Sequence, residues 1–199
     1  MIEDCTAIIL AGGDSRRMGQ DKATLDFYGQ SLIQAVIDNL QPLFAVTIVS
    51  VHQLRPEIFL PQICDVQPQG GPLAGLVSVL AQITTPWAFV VGCDMPFVSP
   101  VLVEKLVSCR ADHQAVVPIV HGQIQPLAAF YSTSCIATMR ASLSLGDRSL
   151  LGVLRQLNVR YVEEGELLQA DPQLHSFFDL DTPEDLATAR SLRVRGIKV

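Results

Sequence analysis

Apolar runs and amphipathic stretches alternate along most of this chain. Short apolar runs fall at residues 6–10, 46–51 and 87–91, and longer apolar-rich stretches at 32–40, 73–83 and 101–107. Runs of about five or six residues suit strands buried on both faces, and the longer stretches suit helices packed against them. The pattern therefore predicts an α/β fold, a Rossmann-like and mostly parallel sheet with helices on both faces. Leu32, Ile33, Val36, Ile37 and Leu40 follow the helical period, and Ser31 stands where it can cap the first turn. After residue 114 the alternation is less regular: 115–120, 127–131 and 159–162 read as strands and 149–157 as a helix. At 177–185 a strand is expected to give way to a helix, with Thr182 as N-cap, Pro183 at the first helical position and Asp185 in the first turn. No repeat, linker or low-complexity segment interrupts the 199 residues, so a single domain spanning 1–199 is expected. The basic end, residues 190–198, reads as a solvated tail.

Composition narrows the partners. The net charge of −6 and pI near 5.1 argue against a nucleic-acid partner, which needs an excess of Lys and Arg gathered in a patch. No apolar stretch approaches the roughly 20 residues needed to span a bilayer. The start, with Glu3 and Asp4 ahead of a short apolar run, lacks the basic beginning of a secretory signal, so the mature chain is expected to begin at Met1. The five cysteines, Cys5, Cys64, Cys93, Cys109 and Cys135, are odd in number and form no C-x-x-C pair. Reduced thiols and a cytoplasmic location follow as expectations. With only 14 Lys and Arg, an acidic protein that binds a phosphorylated molecule must concentrate its cations locally.

It does so once, early. The first apolar run leads into Leu10, Ala11, Gly12, Gly13 and then Arg16, Arg17, Gly19 and Lys22. Glycines let backbone amides approach a ligand, and three cations follow within a few residues, which describes a cradle for a triphosphate. The spacing fits neither G-x-x-x-x-G-K-[ST] nor G-x-G-x-x-G. The plainer reading, a surface turn with solvated cations, is disfavoured by the position directly after a first strand. Asp94, in Gly92-Cys93-Asp94-Met95-Pro96, follows another buried strand. A carboxylate there can hold a hard cation that also touches phosphates, although an Asp before Pro also caps turns. Gly70, Gly71, Pro72 and Gly75 form a glycine turn opening a helix, which serves packing or meets a base with its exposed amides. Asp179 and Asp181 flank Leu180 with the alternation that would send both to one face of a strand; Asp181 is a candidate second metal ligand, while Asp179 reads better as a helix-capping residue. Arg148 sits at an expected helix start, where the dipole disfavours a cation and suggests another purpose. No histidine has metal-ligand spacing, and no nucleophile and base pair up.

Residues 10–22 resemble the signature of the nucleotidyltransferases that activate sugars and cofactors. The form GG-x-SRRMG-x-DK is most similar to the molybdenum cofactor guanylyltransferases, and the resemblance extends from residue 7 to about 190. It implies that Leu10, Ala11 and Gly12 hold the base and ribose through the backbone, with Gly13 in the same loop, and that Arg16 and Lys22 grip the phosphates. It further implies that Asp94 binds magnesium, that the Gly71-Pro72-Leu73-Ala74-Gly75 turn encloses the nucleotide, that Asp65 contacts it, and that Pro126 and Arg148 line the acceptor side. This sequence departs from the family at His52, near which an Asn is frequent, and at Asp179 and Asp181, where N-x-N-T-P is usual. The added charge either tightens the metal or supports the helix.

The expected function is transfer of GMP from GTP to the terminal phosphate of molybdopterin with Mg2+ as cofactor. Arg16, Lys22 and Asp94 would carry the chemistry, and Asp94 and Asp181 would hold the metal. Transient contacts with other proteins of molybdenum cofactor biosynthesis are expected. The alternatives are a cytidylyltransferase acting on the same or another phosphorylated acceptor, and a non-catalytic nucleotide sensor, against which an intact Lys22, Arg16 and Asp94 weigh.

Overall fold

The computed structural model describes residues 1–12, 21–65, 67 and 70–194. Along the chain come β1 (Ile2–Leu10), the hairpin strands β2 (Asp26–Phe27) and β3 (Gln30–Ser31), α1 (Leu32–Leu40), β4 (Phe44–Val51), β5 (Gln62–Cys64) and α2 (Gly71–Leu80). They are followed by β6 (Trp87–Gly92), α3 (Pro100–Val107), β7 (Ala115–Val120), β8 (Gln123–Ile124), β9 (Ala129–Ser132) and α4 (Ile136–Ser144). The last elements are α5 (Leu150–Leu154), β10 (Val159–Val162), α6 (Glu164–Leu167) and α7 (Pro183–Val194). The main sheet runs in the order β10-β7-β9-β6-β1-β4-β5, with β8 paired to β7.

The sheet is mostly parallel, as the apolar pattern predicts: β1 pairs in parallel with β4 and β6, β4 with β5, and β7 with β10. Strand β9 is the exception, antiparallel to both β6 and β7. Residues 121–128 are too few for a parallel crossover, which needs about a dozen or more. The chain instead turns back through His121 and Gly122, both at positive φ. The strand expected over 127–131 starts only at Ala129, because Ala128 takes φ 60°.

Side-chain alternation sorts the core into two layers. Cys5, Ala7 and Ile9 of β1 join Phe89 and Val91 of β6 under α1 and α3. Ile8, Ala88 and Val90 face the other way, onto Leu73 and Leu76 of α2, Met139 of α4 and Val153 of α5. Ser31 caps α1 as expected, accepting from Gln34 N–H at 3.4 Å.

The strand expected at 177–181 does not form. A 3-10 turn spans His175–Phe177, and the chain then runs irregularly to α7. Phe177 packs against the α1/α3 core and Phe178 against a third cluster, so consecutive aromatic side chains are drawn to different places rather than to one sheet face. That cluster, with Leu25, Phe27, Leu32, Phe97, Leu180 and Ala189, seats α7 against the β2–β3 hairpin, and Tyr28 O–H donates to the Ala189 carbonyl at 2.8 Å. Thr182 and Asp185 cap α7 reciprocally: Asp185 N–H donates to Thr182 Oγ1 at 3.2 Å, and Thr182 N–H donates to Asp185 Oδ2 at 2.8 Å. Capping thus falls to Thr182 and Asp185 rather than to Asp179. Arg190 belongs to α7 rather than to a solvated tail, and its guanidinium donates to the Asp26 carbonyl at 3.2 Å. Among the described residues no helix is long and apolar enough to cross a membrane. All five cysteines are free thiols.

Candidate active site

The parallel strands end together, and their hydrogen-bond ladder runs one residue past them. Ala11 N–H donates to Ser50 O at 2.8 Å, Cys93 N–H to Leu10 O at 3.1 Å and Asp65 N–H to Val51 O at 3.0 Å. Leu10 to Gly12, Ser50 to His52, Asp65 and Asp94 therefore share one rim at the carboxyl edge of the sheet, where open α/β folds bind ligands. Gly71 and Pro72 open α2 above this rim, exposed at the helix start, while Gly75 is buried one turn further on.

One half of the rim is built around Asp65. Its side chain is only 3% exposed. Oδ1 accepts from Ser50 Oγ at 2.7 Å. Oδ2 lies 2.9 Å from His52 Nδ1, yet that ring nitrogen makes no aligned hydrogen bond. A carboxylate this deeply set needs donors, and a ligand seated on the rim can supply them. Two glycines make the space around it. A Cβ on Gly12 would lie 2.9 Å from His52 Cε1 and 3.1 Å from Asp65 Oδ2, and one on Gly75 would lie 2.7 Å from Ser50 Oγ and 3.1 Å from Asp65 Oδ1. Ser50 escaped the sequence reading because it looks like an ordinary strand residue. His52 was noted only as a departure from the family, and the structure places it against both Gly12 and Asp65.

The other half gathers charge. Lys22 opens a single 3-10 turn, Lys22–Thr24, which Asp21 caps by accepting from Ala23 N–H at 3.0 Å. The turn is pinned by Ala23, 1% exposed. The Lys22 ammonium, its side chain 14% exposed, donates to Asp94 Oδ2 at 2.9 Å and also bonds Asp181 Oδ1. Burial alone would lower its pKa, but the hydrogen bonds to Asp181 and Asp94 outweigh that and hold it above the ordinary lysine value. Asp181 arrives here because Leu180 N–H donates to the Asp94 carbonyl at 2.9 Å, which splices the segment before α7 onto the end of β6. Lost hydration, reinforced by the charges of Asp94 and Asp181, raises the carboxyl pKa of Asp179. The Cys93 thiol is pushed up to about 12 by burial, with Asp94 adding to it, and so stays protonated rather than serving as a nucleophile.

Asp94 and Asp181 thus converge on one cation, and their oxygens are the donors that a hard divalent ion prefers. Among the described residues no three His, Cys, Asp or Glu side chains gather as a ligand set. Two carboxylates suit an ion that completes its shell with water and phosphate oxygens.

On the opposite flank, Leu127 Cδ1 lies 3.6 Å from where a Cβ on Gly92 would stand, so the segment holding Pro126 passes the carboxyl end of β6. The Pro126 carbonyl is fixed by Tyr131 O–H at 2.8 Å. Arg148 stands in the exposed turn between α4 and α5, on a different element from the Lys22 cluster. Gly13 and Arg16, expected in the phosphate cradle, lie outside the described residues.

Known proteins resemble this chain in sequence and fold. The family model for the MobA-like NTP transferase domain matches residues 7–161. A protein of Natranaerobius thermophilus, named a probable molybdenum cofactor guanylyltransferase, is 32% identical over 200 residues, covering 96% of this chain and 97% of the relative. One of Pelotomaculum thermopropionicum with the same name is 36% identical over 188 residues, covering 93% and 91%. The crystal structure of molybdopterin-guanine dinucleotide biosynthesis protein A from Archaeoglobus fulgidus superposes with a TM-score of 0.86 at 29% identity, covering 96% of this chain and 99% of that one. With a family match over most of its length, and relatives at 32% and 36% identity matched over nearly their whole length, the chain belongs to the MobA-like NTP transferase family and is a nucleotidyltransferase.

Proposed function

We propose that the protein transfers GMP from GTP to the terminal phosphate of molybdopterin, releasing pyrophosphate and forming the guanine dinucleotide form of the cofactor. The names of the relatives, matched over nearly their whole length, support the acceptor. The observation that carries the nucleotide choice is Asp65, a buried carboxylate beside His52, facing a floor of Gly12 and Gly75. Guanine presents adjacent donors at N1 and N2, which require an acceptor of this kind. The Leu10 carbonyl already accepts from Cys93 N–H, which leaves the side-chain carboxylate as the better partner.

In this reading the backbone of Leu10 to Gly12 and the Gly71–Pro72 turn enclose base and ribose. Lys22 turns from the carboxylates to the α- and β-phosphate oxygens, and Arg16 joins it from the same loop. Asp94 and Asp181 would hold magnesium, which would neutralise charge on the phosphates and supply a Lewis acid. Pro126 and Arg148 border the acceptor. An oxygen of the acceptor phosphate forms the new bond to the α-phosphorus as the bond to the bridging oxygen breaks and pyrophosphate departs. That acceptor is already ionised near neutral pH, so positioning and charge neutralisation suffice and no general base is needed. The five free thiols suit a reducing compartment such as the cytoplasm.

Nucleotide competition tests the assignment. A buried polar group left without its partner costs about 1–3 kcal/mol, so two mismatched contacts should favour GTP over CTP by about a hundredfold in kcat/KM. Inosine triphosphate, which lacks only the N2 amino group, should fall between them. CTP performing as well as GTP in a pyrophosphate-release assay would remove the guanylyl assignment and leave nucleotidyl transfer standing.

The glycine floor supplies a second expectation. Alanine favours a helix over glycine by about 1 kcal/mol, so Gly75→Ala gains something in α2. Its methyl, however, would stand 2.7 Å from Ser50 Oγ and displace the group that orients Asp65. Crowding of this kind costs about 1–3 kcal/mol of stability, partly offset by the helix gain, so a small fall in melting temperature should accompany a rise in the KM for GTP of about tenfold or more. An unchanged KM would mean that this floor does not meet the base.

A further inference from the structure

The segment joining β4 to β5 is ordered with little apolar packing. Leu54 is 69% and Phe59 96% exposed, while Ile58, at 6%, and the half-buried Leu60 reach the core. Gln62 supplies the missing order: its Oε1 accepts from Arg55 N–H at 2.8 Å, and its Nε2 donates to the carbonyls of Arg55 at 2.8 Å and Ile58 at 2.9 Å. Ile58 N–H closes the turn on the Arg55 carbonyl at 3.2 Å. The backbone at Arg55 is therefore held from several sides.

What the turn presents is the Arg55 side chain. It is 20% exposed, with one guanidinium nitrogen 2.5 Å from Asp21 Oδ2 and the other 3.7 Å from Glu57 Oε1. Asp21 is thus used twice. Oδ1 caps the turn that carries Lys22, accepting from Ala23 N–H, while Oδ2 faces Arg55. The Asp21 carbonyl also receives Thr24 N–H at 3.2 Å and Thr24 Oγ1 at 3.1 Å. One carboxylate therefore ties the turn bearing the ammonium to a loop of the next strand pair. Asp21 unpaired would also set a negative charge beside an incoming triphosphate, and Arg55 cancels it.

We propose that Arg55 is a positioning residue for nucleotidyl transfer, acting through Asp21 to hold the Lys22 turn in place as the ammonium exchanges its carboxylate partners for phosphate oxygens. The inference rests on the functional reading above and adds a residue to it. Lys22 must leave Asp94 and Asp181 when substrate binds, so the contacts that locate the ammonium without substrate are lost when it is needed. The Asp21 cap and its Arg55 anchor persist, because neither is made by the departing ammonium.

The test is a cycle of wild type, Arg55→Ala, Lys22→Ala and the double variant, with kcat from pyrophosphate release on GTP, magnesium and molybdopterin, GTP Kd by calorimetry, and melting temperature as the fold control. Misplacing a catalytic group by about an ångström can reduce rates up to about a hundredfold, so Arg55→Ala should lower kcat between about tenfold and a hundredfold with an unchanged melting temperature. With Lys22 already removed, the same substitution should cost less than about twofold in kcat and in GTP Kd. Asp21→Asn keeps an acceptor for Ala23 N–H and deletes the charge facing Arg55, and should reproduce the Arg55→Ala loss. Equal losses in both backgrounds would show that Arg55 acts independently of Lys22, for instance by gripping phosphate itself, and overturn the proposal. So would full activity of Arg55→Ala or of Asp21→Asn. Inert wild-type protein would instead bring down the functional reading, and the Arg55 proposal with it.

Discussion

Asp94→Asn is expected to abolish turnover and leave the fold nearly intact. Asparagine keeps the volume of the side chain and an oxygen to accept from Lys22, and the bond from Leu180 N–H to residue 94 runs to the backbone, so the splice between β6 and the segment before α7 survives. The Lys22–Asp94 pair is mostly buried, 14% and 21% exposed, but the ammonium keeps Asp181 as a partner and the amide oxygen can still accept from it, so the fold should lose little. What disappears is a full negative charge where two carboxylates converge. Holding a divalent cation against a triphosphate contributes several kcal/mol to the transition state, so the rate should drop by about a thousandfold or more. Pyrophosphate release and a thermal melt on the same preparation decide it. Release at the wild-type rate would remove Asp94 from the mechanism.

Lys22→Ala should lower kcat more than it weakens GTP binding, by about two to three orders of magnitude, the usual loss when one preorganised donor to a developing oxyanion is removed. The ammonium stays charged at neutral pH because Asp181 and Asp94 more than offset its burial. If it sits where negative charge grows as the bridging bond breaks, it contributes more to the transition state than to the ground state. Equal losses in kcat and in affinity would reduce Lys22 to a binding residue. The same variant has a second, opposite signature. In the free protein the ammonium occupies the space between Asp94 and Asp181, so deleting it removes the cation those two carboxylates share. Manganese, titrated without nucleotide, should then bind Lys22→Ala more tightly than wild type. Weaker binding to the variant would mean that the two carboxylates do not hold a cation together.

Much of the framework is legible along the chain. The strands at residues 46–51, 87–91, 115–120 and 159–162, the helix at 32–40 and its Ser31 cap appear where the apolar pattern puts them, because burial on one or two faces is written into consecutive side chains. The strand at 177–181 is a misreading of the same kind of signal: Phe177 and Phe178 look like part of an alternating run, but they are claimed by two different clusters. The reversed β9 is equally invisible to periodicity, which reports burial and not direction. Arg55 and Ser50 carry no motif at all, and their partners, Asp21 and Asp65, lie on other elements.

The sequence by itself determined the α/β class, the position of the glycine loop after the first strand, and Lys22 and Asp94 as residues of interest, since each depends on neighbours within a short window. Only the tertiary structure decided that Lys22 meets Asp94 across 72 positions and Asp181 across 159. It also decided that Asp65 is buried against two glycines and that Arg55 reaches Asp21. Contacts of that span are set by the order in which strands enter the sheet and by where each crossover sets the chain down, and no local pattern of side chains records either.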